Sequence, residues 1–171
     1  RLFMNKLILA ASFAMLATGA QAQAVRIATE GAYAPYNFIN DAGNPDGFEV
    51  ELSAELCKRA ALECEIVINE WDSMIPNLVA GNYDAIMAGM SITDERKQQI
   101  DFSDDYFPPD PSAYMVRAGT TLDFEALNGV NIGVQGATIQ AAYAEQNFGA
   151  ANTITATPSP IMTAATHAAQ Q

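Results

Sequence analysis

An α/β fold with parallel strands is the class this sequence predicts, and three observations carry the prediction. Short β-rich runs alternate with helical patterns from residue 25 onward, which implies strand–helix–strand units and a layered sheet. The stretch "NDAGNPDG" (residues 40–47) is dense in turn formers and suits a link from strand to helix. After it, Phe48, Leu52, Leu56 and Ala60 recur at four-residue steps, the spacing of a helix with one apolar face.

Taken in order, the chain of 171 residues starts with a segment that reads as a secretory signal. Lys6 supplies the positive end, residues 7–17 the apolar core and Ala20-Gln21-Ala22 the small-x-small cleavage pattern. The apolar core falls short of the roughly 20 residues that span a bilayer. Met4 reads as the start, with residues 1–3 upstream of it. The mature chain is then exported and soluble, beginning near Gln23. It keeps six basic side chains against 20 acidic ones, a net charge of −14. Such a chain repels nucleic acid and anionic lipid.

"VRIAT" (residues 25–29) and "YNFI" (36–39) read as strands, and residues 48–61 as the one-faced helix. "CEIVIN" (64–69) is a third strand; Asp72 or Ser73 caps a short helix through Val79 that Gly81 ends. Pro76 fits that helix in its first turn. "YDAIMAGM" (83–90) reads as a buried strand. After "PPDPS", the run "AYMVRA" (113–118) reads as a strand crossing into a second unit, where "VNIGVQGAT" (130–138) gives strand, Gly turn and helix start. The helix continues to Phe148, and "TITAT" adds a strand. Ligands of such folds collect at the carboxyl ends of the strands, where Glu30 and residues 89–91 fall.

Cys57 and Cys64 are the two cysteines. Export favours a disulfide between them. Its loop of eight residues would contribute about 2.5 kcal/mol by chain entropy. The alternative, a metal pair, lacks further ligands, since the one histidine is the distant His167. The same shortage gives Ser–His and Cys–His catalysis little footing, and neither a metal nor a cofactor is expected.

The stretch "AGMSITDER" (88–96) is the most suggestive one for binding. Thr93 suits a helix N-cap, with Asp94 and Glu95 in the first turn. Arg96 then stands where the helix dipole prefers acid. It makes sense there if its guanidinium grips a carboxylate beside free backbone N–H groups. Ser91 adds a hydroxyl, while Ala88 and Gly89 leave room and free a backbone carbonyl for an ammonium. Local sequence leaves open a surface Arg96 paired with a nearby acid. "GVQGAT" could be a second anion-accepting turn or an ordinary one; it lacks the nucleotide-binding fingerprints. Tyr33 and Trp71 follow strand ends and could sandwich a ligand or fill a core. Glu30 could meet a cationic group or be a solvated acid.

Together, "IATEGAYAPYNF", "GFEVELSAELCKRAALEC", "WDSMIPNLVAGNYDAIMAGMSITDERKQQIDFSD" and "GVQGAT" resemble the extracellular solute-binding proteins of polar amino-acid ABC transporters. The similarity is strongest to the lysine/arginine/ornithine, histidine and opine binders. It covers residues 25–138. The resemblance implies a type II periplasmic-binding-protein fold, two α/β lobes hinged over one amino acid, and a monomer that delivers its ligand to a membrane permease. It implies that Arg96 holds the α-carboxylate with the N–H groups of Ser91 and Thr138. The Gly89 carbonyl and the Ser91 hydroxyl would take the α-ammonium, and Tyr33 and Trp71 would flank the side chain. Glu30 would meet the ligand's distal charge, and Cys57 would pair with Cys64. The expected layout is a signal over residues 1–22, lobe one over 23–111 and part of lobe two over 112–171. The family pattern continues with a segment like "DL-x-x-GR-x-DA" and a second-lobe acid. After Asn152 neither is found, so the second lobe is expected to be truncated, with an atypical tail. Rival readings on the same scaffold are a cyclohexadienyl dehydratase-like enzyme, which needs a general acid, and a sensory ligand-binding domain.

Overall fold

In a computed structural model, the chain is described over residues 24–108 and 111–158. The segment read as a signal, His167 and the end of the tail lie outside the described residues. β1 (Val25–Thr29) is the central strand of a parallel sheet, between β5 (Cys64–Ile68) and β6 (Ala85–Ile86). Its register sets Val25 against Cys64 and Thr29 against Ile68, with Ile27 against Ala85 on the other side. A strand flanked on both edges and covered on both faces buries its residues: Ile27, Ala28 and Thr29 are all below a tenth exposed. The expected strand over residues 83–90 shortens to Ala85–Ile86, with the flanking Asp84 and Met87 N–H groups donating to the Arg26 and Ala28 carbonyls of β1 at 2.9 and 2.8 Å. Beyond them Gly89 adopts φ +59° and turns the chain away.

A second, antiparallel sheet joins β2 (Ala32–Tyr33), β3 (Asn37–Ile39) and β4 (Pro45–Asp46). It leads to α1 (Phe48–Ala60) through Gly47, whose φ of +112° and whose contact with the Tyr36 carbonyl leave no room for a Cβ. Glu49 and Glu51 in its first turn and Lys58 and Arg59 in its last complement the helix dipole. At its end Ala61 is left-handed, and the Leu62 N–H closes on the Cys57 carbonyl at 2.9 Å.

The buried face of α1 is not the expected one. Phe48 and Leu56 are 44% and 47% exposed, whereas Glu49, Ser53 and Cys57 are buried. The helix is rotated by one position, which brings Glu49 to donors on other segments and Cys57 to the Cys64 sulfur. Glu49 is held by hydrogen bonds, and Ser53 Oγ donates to the Glu49 carbonyl at 2.7 Å. Cys57 is disulfide-bonded to Cys64, as expected, which ties the end of α1 to the start of β5.

A 3₁₀ turn (Trp71–Ser73) precedes α2 (Met74–Val79). Ser73 stands at the N-cap as expected, but its Oγ donates to the Glu70 carbonyl at 3.1 Å and caps nothing. Met74 is fully buried, and its carbonyl accepts from Tyr83 Oη at 2.6 Å.

Further along, β7 (Asn131–Gln135) and β8 (Thr153–Thr157) pair in parallel across α3 (Ile139–Phe148). Thr138 is the N-cap of α3, its Oγ1 accepting from Ala141 N at 3.1 Å. The strand expected over residues 113–118 does not form. No strand of the described residues lies alongside to bond it, and Tyr114, Met115 and Val116 are about half exposed.

Candidate functional site

Parallel pairing brings the carboxyl ends of β1, β5 and β6 to one edge of the sheet. Three segments distant in sequence therefore meet there. Glu30 follows β1, Trp71 follows β5, and Ala88, Gly89 and Ser91 follow β6.

Arg96, 9% exposed as a residue, reaches back to this edge with its guanidinium. Its Nη1 donates to the Ser91 carbonyl at 2.7 Å and its Nη2 to the Ala137 carbonyl at 3.0 Å. Its central carbon lies 5.6 Å from the Trp71 ring centroid, a cation–π distance. Among the described residues no carboxylate is in ion-pair contact with it, so the surface-pair alternative does not hold. Burial lowers its pKa from the ordinary value.

The helix expected to start at Thr93 is shorter than the sequence suggests. Thr93 Oγ1 does accept from Arg96 N at 3.2 Å, but a single 3₁₀ turn (Arg96–Gln98) follows.

The β7–α3 turn faces these residues. Trp71 Nε1 donates to the Ala137 carbonyl at 3.2 Å, the same oxygen that Arg96 uses. Ala137 has φ +52°. Gln135 Nε2 donates to Glu30 Oε1 at 2.6 Å. Burial pushes the Glu30 carboxyl up to about 7; the Gln135 hydrogen bond works against this, and the negative charges of Glu70 and Asp72 add to it. Thr138 stands next to Ala137, with its Oγ1 donating to the Gln135 carbonyl at 2.8 Å.

Tyr33 stacks on Tyr36 at 5.1 Å, and Tyr36 on Phe107 at 5.3 Å. Tyr33 also approaches Gly89: a Cβ at Gly89 would lie 4.0 Å from Tyr33 Cε1. Ala88 is buried. A hollow of about 100 Å³ opens beside Gly89, Ser91, Tyr106 and Phe107. A larger one of about 410 Å³, lined by Lys97, Asp101 and Asp104, touches neither Trp71 nor Arg96.

Two clusters thus form from the expected residues, Trp71 with Ser91 and Arg96, and Tyr33 with Gly89; Glu30 and Thr138 join them through the β7–α3 turn. Sequence reasoning missed Gln135 and Ala137, which meet Glu30 and Arg96, and the buried pair Asn37 and Glu49 with Tyr106, which is 40% exposed. An acid in the first turn of a helix is ordinary, which hid Glu49.

The family model of the bacterial extracellular solute-binding proteins, family 3, matches residues 25–165. The chain belongs to this family. The octopine-binding periplasmic protein of Rhizobium meliloti is 52% identical to this family 3 protein over 87 residues, 51% of this chain and 30% of the relative. The histidine-binding periplasmic protein of Escherichia coli (strain K12) is 38% identical over 144 residues, 83% of this chain and 55% of the relative. A crystal structure of a periplasmic His/Glu/Gln/Arg/opine family-binding protein from Silicibacter pomeroyi, in complex with lysine, matches with a TM-score of 0.69 and 57% identity. That match covers 82% of this chain and 61% of the other. The chain spans less than two thirds of the length of each of these relatives. All three are binding proteins, and the type II fold class that the resemblance implied holds for this family 3 protein.

Proposed function

We propose that this family 3 protein captures a cationic amino acid or an opine outside the cytoplasm and hands it, as a monomer, to the permease of an ABC transporter. The observation that carries the reading is Arg96: a buried guanidinium with no carboxylate partner among the described residues, set between Trp71 and Ser91. A guanidinium has five N–H donors, and a buried one without a counter-ion favours an incoming carboxylate. The ligand carboxylate would displace the Ala137 carbonyl from Arg96 and take the N–H groups of Ser91 and Thr138. The Gly89 carbonyl and the Ser91 hydroxyl would receive the ammonium, with Ala88 leaving room and Tyr33 and Trp71 flanking the side chain.

Glu30, with Glu70 and Asp72 close enough to influence its charge, supplies the negative field that favours a distal cation over a neutral side chain. The histidine- and octopine-binding relatives support the ligand class. In this reading residues 1–22 direct export, and lobes over 23–111 and 112–171 close on the ligand.

Calorimetric titration with arginine, lysine, ornithine, histidine and octopine tests the proposal. Binding of at least one is expected, and no heat with any of them sinks the ligand class. Arg96→Ala should weaken the best ligand by about a hundredfold or more, the scale for removing one partner of a buried charge pair. Unchanged affinity would refute its role.

A further inference from the structure

Glu49 takes no part in the ligand set proposed above, yet three segments of the site converge on it. The residue is 1% exposed. Its Oε2 accepts from Asn37 Nδ2 at 2.6 Å, and its Oε1 accepts from Gly89 N at 2.6 Å and from the Tyr106 hydroxyl. Asn37, fully buried, passes the connection on: its Oδ1 accepts from Gly31 N at 2.8 Å, next to Glu30. The Gly89 N–H also reaches the Tyr106 oxygen at 3.1 Å. From Tyr106 a chain of ring contacts runs through Phe107 and Tyr36 to Tyr33.

One carboxyl from α1 therefore fixes the backbone after β1, the backbone after β6 and an aromatic wall. We propose that Glu49 is a positioning residue for ligand capture: it sets where the Gly89 carbonyl, Glu30 and Tyr33 stand, without touching the ligand. This inference rests on the binding reading above.

Hydrogen-bond polarity makes the idea testable. Glu49 is acceptor-only toward three donors, and Asn37 both donates to Glu49 and accepts from Gly31. In Glu49→Gln the amide oxygen can still serve Gly89 and Tyr106, but its NH₂ then confronts the Asn37 NH₂. Flipping Asn37 only moves the conflict to the Gly31 N–H. In Asn37→Asp two carboxyl groups face each other. The double variant Asn37→Asp/Glu49→Gln restores every donor to an acceptor.

The experiment compares wild type, both single variants and the double variant by calorimetry with the same five ligands, by thermal melting, and by amide hydrogen exchange. Glu49→Gln should bind about tenfold or more weakly, and exchange Gly89 and Gly31 amides faster while Ile27 and Ala28 stay protected. The double variant should return to within about threefold of wild-type affinity. Wild-type affinity and wild-type Gly89 exchange in Glu49→Gln overturn the proposal, as does a double variant that does not recover.

If the wild type takes none of the five ligands, the binding reading fails by itself. Exchange at Gly89 then still decides whether Glu49 positions that segment: loss on Glu49→Gln and return in the double variant support it, and no change overturns it. If Glu49→Gln does not fold, the double variant carries the test. Folding with restored Gly89 protection supports positioning, and failure to fold overturns it.

Discussion

Glu30 is a carboxyl whose burial holds it near neutrality, at about 7 against an ordinary 4.5. Between those two values the folded state binds more protons than the unfolded one, so stability without ligand is greatest at the acid end and falls as pH rises through the window. A cation docking at Glu30 requires the opposite, an ionised group. Affinity for lysine or arginine should therefore rise about tenfold between about pH 6 and about pH 8. Glu30→Gln should bind weakly with a flat profile, and should lose the fall in melting temperature between about pH 4.5 and about pH 7. Isotherms and melts across that range check both signs. At this scale the sequence was informative about identity and silent about environment. Arg96 stood out because a cation sat where a helix dipole prefers acid, yet its burial comes from the β7–α3 turn, 41 positions along the chain. Glu49 was invisible because first-turn acids are commonplace and burial of a carboxyl depends on donors supplied by other segments.

Elements were read more successfully where local signals agree. β1, β5, β7, β8, α1 and α3 lie close to where alternation, turn chemistry and capping residues put them. Thr138 is one such signal, and Thr138→Ala should cost about 1 kcal/mol in urea unfolding, because the Ala141 N–H loses its acceptor. Cys57 and Cys64 are another: replacing both by serine should cost about 2.5 kcal/mol, measured the same way. The failures share a cause. The strand over residues 113–118 and the helix after Thr93 had the right composition but lacked partners that composition does not report. The face of α1 was misjudged because its apolar spacing outvoted a polar interior. Ser53, Glu49 and Cys57 are buried by a hydrogen bond, a carboxyl network and a covalent bridge, none of which a hydrophobic pattern encodes.

Over the whole molecule, parallel pairing was the decisive legible feature, because in the observed order β5–β1–β6 it gathers Glu30, Trp71 and Gly89 at one edge. What faces that edge was not legible, since the β7–α3 turn arrives from more than 40 residues further on. That approach is close: a Cβ at Gly136 would stand 3.2 Å from both Asp72 carboxyl oxygens. Gly136→Ala should push the turn away and weaken ligand binding several-fold, while leaving the protection of β1 amides intact; titration and hydrogen exchange measure the two effects. Trp71, whose indole N–H rests on the Ala137 carbonyl, is the chain's single tryptophan. The molecule consequently carries its own dye. Indole emission from unlabelled protein comes from one side chain at the junction, so its colour and its quenching by iodide report, in real time, whether that junction is shut or sprung.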